Sequence, residues 1–249
     1  MFFSKTKLLW GFVIVSTIII VLMYVINNPL VSTVASALSA IVVSIFVSVL
    51  YNEELHKAMD KYQRIGLVDY FGNFEDAHNI IKEKISKAKN VDIFLMYGDS
   101  FLSTSTKAIQ TLLSKDNSHL RYAIYSLDNK FIEAYANYWG IIGKNPKYNI
   151  SELKRKIQGV RTDLKRFWEN KNLGCIFETF EILNSPISYS FYRMDDELFL
   201  VPSKNILSKE IKPAVFLFKK TSSDLSMFNK VIKEFELMIN NGEIKKIEL

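Results

Sequence analysis

Two long apolar segments open the chain, and a mosaic of short apolar runs and polar turns follows them. The first segment is Leu8–Ile26 and the second is Leu30–Tyr51, and neither contains a charged residue. Only Asn27-Asn28-Pro29 separates them. Because about 20 helical residues span the ~30 Å of a bilayer's hydrocarbon, the pattern predicts an N-terminal transmembrane helical hairpin over residues 1–51, with spans 8–26 and 30–51.

The charges beside the two segments indicate an orientation. Lys5 and Lys7 precede the first segment, and Lys57, Lys61 and Arg64 follow the second. By the positive-inside rule we expect a multi-pass protein with both termini cytoplasmic and the lipid bilayer as a partner. The alternative is a cleavable secretory signal, but the apolar core of a signal is only ~7–15 residues long and the apolar run here continues far beyond that length.

One ridge of the second segment carries only small side chains, at every fourth position. Small residues at this spacing let helix backbones approach closely, and serine hydroxyls can bond across the contact. Two partners stay open for this packing ridge: the first segment of the same chain, or a second copy, which would make the protein a homo-oligomer. The ridge consists of Ser32, Ser36, Ala40, Ser44 and Ser48.

The rest of the chain alternates strand and helix patterns, which is typical of an α/β domain. Residues 52–65 are charged and favour a stalk helix, and residues 66–249 suit one domain. Strand, helix, strand units give parallel strands covered by helices. The pattern predicts helices at Phe74–Ala88, Thr106–Leu113, Asn129–Ile142, Ser151–Lys171 and Leu225–Ile239, and strands at Val91–Tyr97, Arg121–Leu127, Gly174–Ile182, Ile187–Tyr192, Leu198–Val201 and Ala214–Phe218.

Composition narrows the chemistry. The chain carries 32 Lys and Arg against 26 Asp and Glu, a mild positive surplus that suits anionic lipid or a polyanionic ligand and is diagnostic of neither. Cys175 is the single cysteine, which excludes a disulfide or a thiolate metal site within one chain. No histidine has a second ligand at metal-binding spacing, so we expect no metal and no cofactor.

Several segments together resemble phospholipase D-like domains. They are the helix-to-strand passage of residues 80–93, the segment Tyr192–Pro202, and the closing strand and helix from Pro213 onward. The resemblance covers about residues 65–240, and it implies a mixed sheet flanked by helices. Enzymes of that family work through a His-x-Lys-x4-Asp signature, in which the imidazole attacks phosphorus and the ammonium neutralises phosphate charge.

That catalytic signature is missing here. Counting back from Asp195 places Ser188 where the histidine would stand and Ser190 where the lysine would stand. Counting back from Asp196 gives Tyr189 and Phe191. We therefore expect no catalytic residue and no enzymatic activity, and we interpret Asp195-Asp196 as a hairpin turn.

One competing frame is centred on a histidine. His119 and Arg121 have the spacing of the first two signature residues, but Ser126 takes the aspartate position and Asp128 stands two residues late. A diverged phosphodiesterase or nuclease built around His119, Arg121 and Asp128 is therefore an alternative. The other interpretation is that His119 is an ordinary residue at a strand edge.

Two features are candidates for ligand binding. Asp99 follows the first strand of the domain at its carboxyl end, where α/β sheets often bind ligands, although such a residue also caps helices. The helix predicted over Ser151–Lys171 has a basic side that could contact phosphates of a nucleic acid, a nucleotide or lipid headgroups, or could form a solvated face. Its candidate residues are Lys154, Arg155, Lys156, Arg161, Lys165 and Arg166.

The whole arrangement is similar to the small two-span membrane effectors of bacterial anti-phage systems, particularly those carried beside retron reverse transcriptases. The resemblance implies a toxin of the bacterial inner membrane that acts in abortive infection. We expect a non-catalytic sensor/effector: the domain binds a reverse transcriptase–nucleic acid complex or a nucleotide signal, and the hairpin oligomerises and damages the membrane. The alternatives are a membrane-tethered phosphodiesterase or nuclease, and a non-toxic tethered scaffold.

Overall fold

The computed structural model describes residues 11, 14–18, 21, 29–142, 149–203 and 212–248, and for part of 29–42 and for 141–142 it describes the backbone alone. The chain divides into two compact units, Met1–Lys61 and Tyr62–Leu249. The first unit is helical where it is described. The second unit is an α/β domain and contains all the cavities considered below.

The expected transmembrane hairpin is wrong. No helix in the described part of the chain is both long enough and apolar enough to cross a membrane, and this also overturns the expected multi-pass location in an inner membrane. The second apolar segment belongs to helix α1 (Pro29–Ile65), which runs without a break through the predicted stalk 52–65. Charged residues occupy the last part of this helix, from Glu53 to Arg64. Most of the first expected span, 8–26, lies outside the described residues.

The predicted packing ridge lies on α1. The side chains of Ala40, Ser44 and Ser48 are exposed, and those of Ser32 and Ser36 lie outside the described ones. With the membrane spans withdrawn, close packing along this ridge stays a prediction about helix contacts alone.

The α/β domain is built on a mixed sheet of eight strands in the order β1-β7-β6-β5-β2-β3-β4-β8. β2, β3 and β4 are parallel neighbours, and the other neighbouring pairs are antiparallel. The chain therefore passes from β1 to β2 across three places that β5, β6 and β7 fill later. The strands are β1 (Leu67–Phe71), β2 (Asn90–Phe94), β3 (His119–Tyr125), β4 (Ile176–Ile182), β5 (Tyr189–Met194), β6 (Glu197–Pro202), β7 (Val215–Lys219) and β8 (Ile244–Ile247).

The helices of this domain form where apolar residues recur at helical spacing. Helix α5 shows the rule, because its apolar stripe of Leu153, Ile157, Val160, Leu164 and Phe167 is buried throughout. The helices are α2 (Phe74–Lys87), α3 (Asp99–Leu113), α4 (Phe131–Tyr135) with a following π-helical turn (Ala136–Ile142), α5 (Ile150–Glu169) and α6 (Met227–Asn240).

The two faces of the sheet are covered unequally. On the first face, the rings of Phe74 (α2) and Phe101 (α3) lie 5.8 and 4.6 Å from the Tyr192 ring of β5, and α5 reaches the same face through an ion pair of Arg161 with Glu181 of β4. On the second face lies α6, whose Phe235 ring is 5.5 Å from the Phe191 ring of β5. Within the described part of the domain, this 14-residue helix is the one that packs on the second face, and grooves lie along its flanks.

The predicted β5–β6 hairpin is confirmed. Tyr189 pairs with Pro202 and Met194 with Glu197, so Asp195 and Asp196 form the turn between them. Asp195 has a φ of 49°, which a two-residue turn of this kind requires and which aspartate tolerates better than most residues.

Candidate functional site

A cavity of about 280 Å³ lies at the carboxyl end of β2. Its walls come from the loop Leu95–Gly98, from Tyr135 and Trp139 after β3, and from the ends of β5 and β6 with Ser190 and Ser203. The cavity therefore combines rings with hydroxyl groups, at the edge where α/β sheets commonly bind ligands.

The loop after β2 is held in place by the sheet and by a glycine. Leu95 N donates to the Ala123 carbonyl at 3.0 Å, and Tyr125 N donates to the Met96 carbonyl at 2.9 Å, so strand pairing continues past the end of β2. Gly98 then has a φ of 71°, and a Cβ at this position would lie 2.5 Å from the Tyr122 hydroxyl. Only glycine fits there, and the tight turn leads directly into α3.

A pair of tyrosines fixes the opposite wall. Ile187 N donates to the Tyr125 hydroxyl at 2.8 Å, and the Tyr135 hydroxyl donates to the Ile187 carbonyl at 2.5 Å. Ser203 Oγ donates to the same carbonyl at 3.2 Å. Burial raises the pKa of Tyr125 and of Tyr135, so both hydroxyls keep their protons and this wall carries no charge at neutral pH.

A basic residue of α5 lies beside Tyr97, which lines the cavity. The Lys156 ammonium lies 5.3 Å from the centre of the Tyr97 ring. Arg155 bonds Glu152 at 2.7 and 2.8 Å; this pair raises the pKa of Arg155, and the charge of Asp99 adds to the effect. The structure therefore brings two predicted binding residues, Asp99 and Arg155, close enough for their charges to interact.

The other basic residues predicted on α5 do not line this cavity. Arg161 forms an ion pair with Glu181 and lines, with Lys165, a separate cavity of about 330 Å³, and burial lowers the pKa of Arg161. Arg166 lies 3.4 Å from Asp163, and Lys154 is exposed. Because acids accompany the arginines, this side of α5 is a mixed solvated face and not a continuous cationic surface.

The two serines at the positions of the expected catalytic histidine and lysine line two different cavities. Ser190 lines the cavity at the carboxyl end of β2, and Ser188 lines another cavity of about 350 Å³ beside Tyr189 and Glu234. Hydroxyls at these two positions can donate and accept hydrogen bonds but cannot replace a nucleophilic imidazole and an ammonium.

The residues of the competing histidine frame are not brought together. His119 begins β3 and bonds Glu178 through Nε2 at 2.8 Å, whereas Asp128 follows the other end of that strand. At roughly 3.3 Å per strand residue the two ends of β3 are about 20 Å apart. Arg121 bonds Asp92 and Glu236. His119 therefore fits the interpretation of a strand-edge histidine held by a carboxylate.

Over the residues that the structure describes, no group of three or more His, Cys, Asp or Glu side chains is placed to hold a metal ion.

Sequence reasoning missed the side chains that form the cavity. Tyr97 follows a buried strand and precedes a glycine, and Tyr135 lies in an aromatic-rich stretch, so both could have been noticed as rings beside a strand end. Lys156 was predicted as one of six basic residues that could contact phosphate, but only the fold shows that it is the one beside Tyr97.

Comparison with known proteins gives little beyond this geometry. No family model matches the chain, and no curated protein matches it. Among solved structures it is similar to TrmBL2, an archaeal chromatin protein whose structure shows a novel mode of DNA binding; the identity is 12%, the match covers 87% of this chain and 68% of that chain, and the TM-score is 0.35. A TM-score of this size carries no argument about fold or function.

Proposed function

We propose that the α/β domain is a non-catalytic receptor that binds a nucleotide in the cavity at the carboxyl end of β2. The observation that supports this most is an ammonium group beside an aromatic wall: Tyr97 and Tyr135 line the cavity, and Lys156 Nζ lies 5.3 Å from the centre of the Tyr97 ring. The tyrosine rings can stack on a planar base, and the Lys156 ammonium can bind a phosphate group.

The size of the cavity supports a ligand of one nucleoside. Its volume of about 280 Å³ lies just below the range typical of small-molecule sites, about 300–1,000 Å³, and so suits a small ligand. Stacking on one aromatic ring contributes about 1–3 kcal/mol per base and tolerates any base. Ser190 and Ser203 offer hydroxyls to ring nitrogens or to the ribose.

Binding without turnover is proposed because of what stands at the expected catalytic positions. Ser188 and Ser190 take the places of the nucleophile and of the phosphate-binding lysine in the resembled family. The membrane damage expected from the hairpin is not part of this proposal. The expected role in anti-phage defence, with a nucleotide or a reverse transcriptase complex upstream, stays a prediction.

In the test, AMP, GMP, CMP and UMP are each titrated into the full-length chain. Binding is monitored by tryptophan fluorescence, to which Trp139 in the cavity wall contributes. We expect saturable quenching by at least one nucleotide and no release of inorganic phosphate. Tyr97→Ala should weaken that binding about tenfold, which corresponds to about 1.4 kcal/mol of lost stacking.

The matched control is Tyr70→Ala, because Tyr70 is 57% exposed on β1, away from the cavity. It should bind as the natural chain does. Failure of all four nucleotides to bind, or equal binding by Tyr97→Ala and the natural chain, would show that this cavity is not a nucleotide receptor.

A further inference from the structure

A row of charged residues crosses the middle of the sheet. β2, β3 and β5 each carry one charge between apolar neighbours: Asp92, Arg121 and Arg193. The strand register places Asp92 directly opposite Arg121 on one side and opposite Arg193 on the other. Cross-strand neighbours point to the same side of a sheet, so all three lie on the second face, beside α6. We call these three residues the charge row.

Asp92 is the shared anion of the row and is 1% exposed. Its Oδ1 accepts from Arg121 Nε at 2.7 Å, and its Oδ2 accepts from Arg121 Nη2 at 2.8 Å and from Arg193 Nε at 2.7 Å. Burial opposes the charge, but these bonds and the two cations hold the pKa of Asp92 below its usual value. Asp92 is therefore a fixed carboxylate that orients two guanidinium groups.

Arg121 is fully occupied within the protein. Besides its two bonds to Asp92, its Nη1 donates to Glu236 Oε1 at 2.6 Å, and its guanidinium carbon lies 4.9 Å from the centre of the Phe235 ring. Burial acts against its charge, yet the bonds to Asp92 and Glu236 raise the pKa of Arg121. Arg121 thus ties α6 to the sheet and has little left to offer a ligand.

Arg193 differs from Arg121 in one respect. It bonds Asp92 through Nε alone, and among the described residues no acceptor lies within hydrogen-bond distance of its two Nη groups. These groups face an open groove of about 660 Å³ between α6 and the β5–β6 turn. A guanidinium that a buried carboxylate holds by one edge presents its other edge as a rigid pair of donors.

The remaining charges of the groove leave one further cation available. Asp195 is occupied by the backbone of Lys89 and Asn90, with its Oδ1 2.8 Å from Asn90 N, and Asp196 lies 3.6 Å from Lys220. Glu236 is bonded by Arg121. Lys233 is exposed on α6, and in the described part of the chain it has no acidic partner.

We propose that this groove is a second binding site, which takes the phosphate group of a phosphorylated small molecule between Arg193 and Lys233. Two phosphate oxygens match the two Nη donors of Arg193, and Lys233 adds a point charge. A phosphate monoester carries about −1.5 to −2 charges at neutral pH, so it attracts Lys233 more strongly and accepts more hydrogen bonds than a singly charged carboxylate does.

The site is separate from the nucleotide cavity and does not depend on it. Asn90, at the start of β2, borders the groove, whereas Leu95–Gly98, past the end of that strand, borders the cavity. The aromatic side chain that lines the groove, Phe228, is 5% exposed and offers no face for a base. The ligand is therefore recognised by its phosphate, and a base is not required.

The probe is ribose 5-phosphate, which is titrated into the full-length chain at low salt while the heat of binding is measured by calorimetry. Ribose, which lacks the phosphate, and acetate, which carries a carboxylate, are titrated for comparison. We expect saturable binding of ribose 5-phosphate, weakening as salt screens the charges, and no binding of ribose or acetate. Arg193→Gln should weaken binding at least about tenfold and Lys233→Gln about threefold to tenfold. Lys107→Gln, on α3 at the first face of the sheet, is the matched control and should leave this affinity unchanged.

Each alternative result is decisive. No binding of ribose 5-phosphate by the natural chain, acetate binding of equal strength, or unchanged affinity in Lys233→Gln would overturn the proposal. If Arg193→Gln unfolds, Lys233→Gln decides alone, because an exposed lysine can be replaced without disturbing the fold. Tyr97→Ala should leave this binding intact; a loss there would place the phosphate in the nucleotide cavity and refute the groove.

Discussion

Replacing Asp92 by asparagine should destabilise the α/β domain strongly, because the change leaves two guanidinium groups without their shared anion. Removing one partner of a buried ion pair costs about 3–5 kcal/mol. The side chains of Arg121 and Arg193 keep 12% and 17% exposure, and Arg121 keeps its bond to Glu236. Partial solvation of both cations therefore places the expected loss near the lower limit, at about 3 kcal/mol.

The measurement is urea denaturation of the full-length chain followed by far-UV circular dichroism, with the slope compared between variants so that a changed midpoint reports stability. The matched control is Glu236→Gln, because Glu236 is 45% exposed and accepts a single bond from Arg121; it should lose only about 0.5–1 kcal/mol. An Asp92→Asn variant within about 0.5 kcal/mol of the natural chain would refute the reasoning that Asp92 is a desolvated anion.

Three further predictions concern pH, a turn and a hydroxyl. Because the pKa of Asp92 is lowered by folding, its contribution is complete above the unfolded carboxyl pKa of about 3.9 and is lost as pH falls through the lower folded value; acid titration by circular dichroism should show a steeper loss for the natural chain than for Asp92→Asn. Gly98→Ala should lower the free energy of unfolding in urea by at least about 2 kcal/mol, since φ is 71° and the added Cβ would clash with the Tyr122 hydroxyl. Gly159→Ala should raise it by about 0.5–1 kcal/mol, because the added Cβ would point into open space on a helix. Tyr122→Phe should leave the melting temperature equal or higher, because the Tyr122 hydroxyl is buried and has no partner among the described residues; a clear decrease would reveal a bond that the structure does not contain.

The amphipathic helices could be predicted from the sequence because each buries one stripe of regularly spaced residues. The helix expected over Ser151–Lys171 is found at Ile150–Glu169, and the one expected over Phe74–Ala88 is found at Phe74–Lys87. The start of α3 was predicted seven residues late. Its first turns are rich in serine and threonine, and their hydroxyls bond backbone carbonyls within the helix, as Thr104 Oγ1 does to the Ser100 carbonyl at 2.8 Å.

Two strands and the charge row could not be predicted from local patterns. β1 and β8 lie at the ends of the sheet, where one side of each strand is open and the apolar alternation is weak. A charge flanked by apolar residues is visible in each of β2, β3 and β5, yet only strand register shows that Asp92 stands between the two arginines. The long apolar run at the start of α1 was interpreted as a membrane span, whereas it forms the first part of a longer helix whose second part is charged, as the predicted stalk was.

The way β1 is paired has a consequence for synthesis on the ribosome. β1 pairs with β7, so Leu67 and Phe71 cannot form their strand pairing until Phe218 and Val215 have been synthesised, when most of the domain is already made. Until then β1 exposes unpaired backbone N–H and C=O groups, with which a strand of a neighbouring nascent chain could pair. We therefore expect a chain truncated before Val215 to aggregate and not to form a smaller folded protein. We also expect chaperones to bind the nascent chain most strongly late in translation.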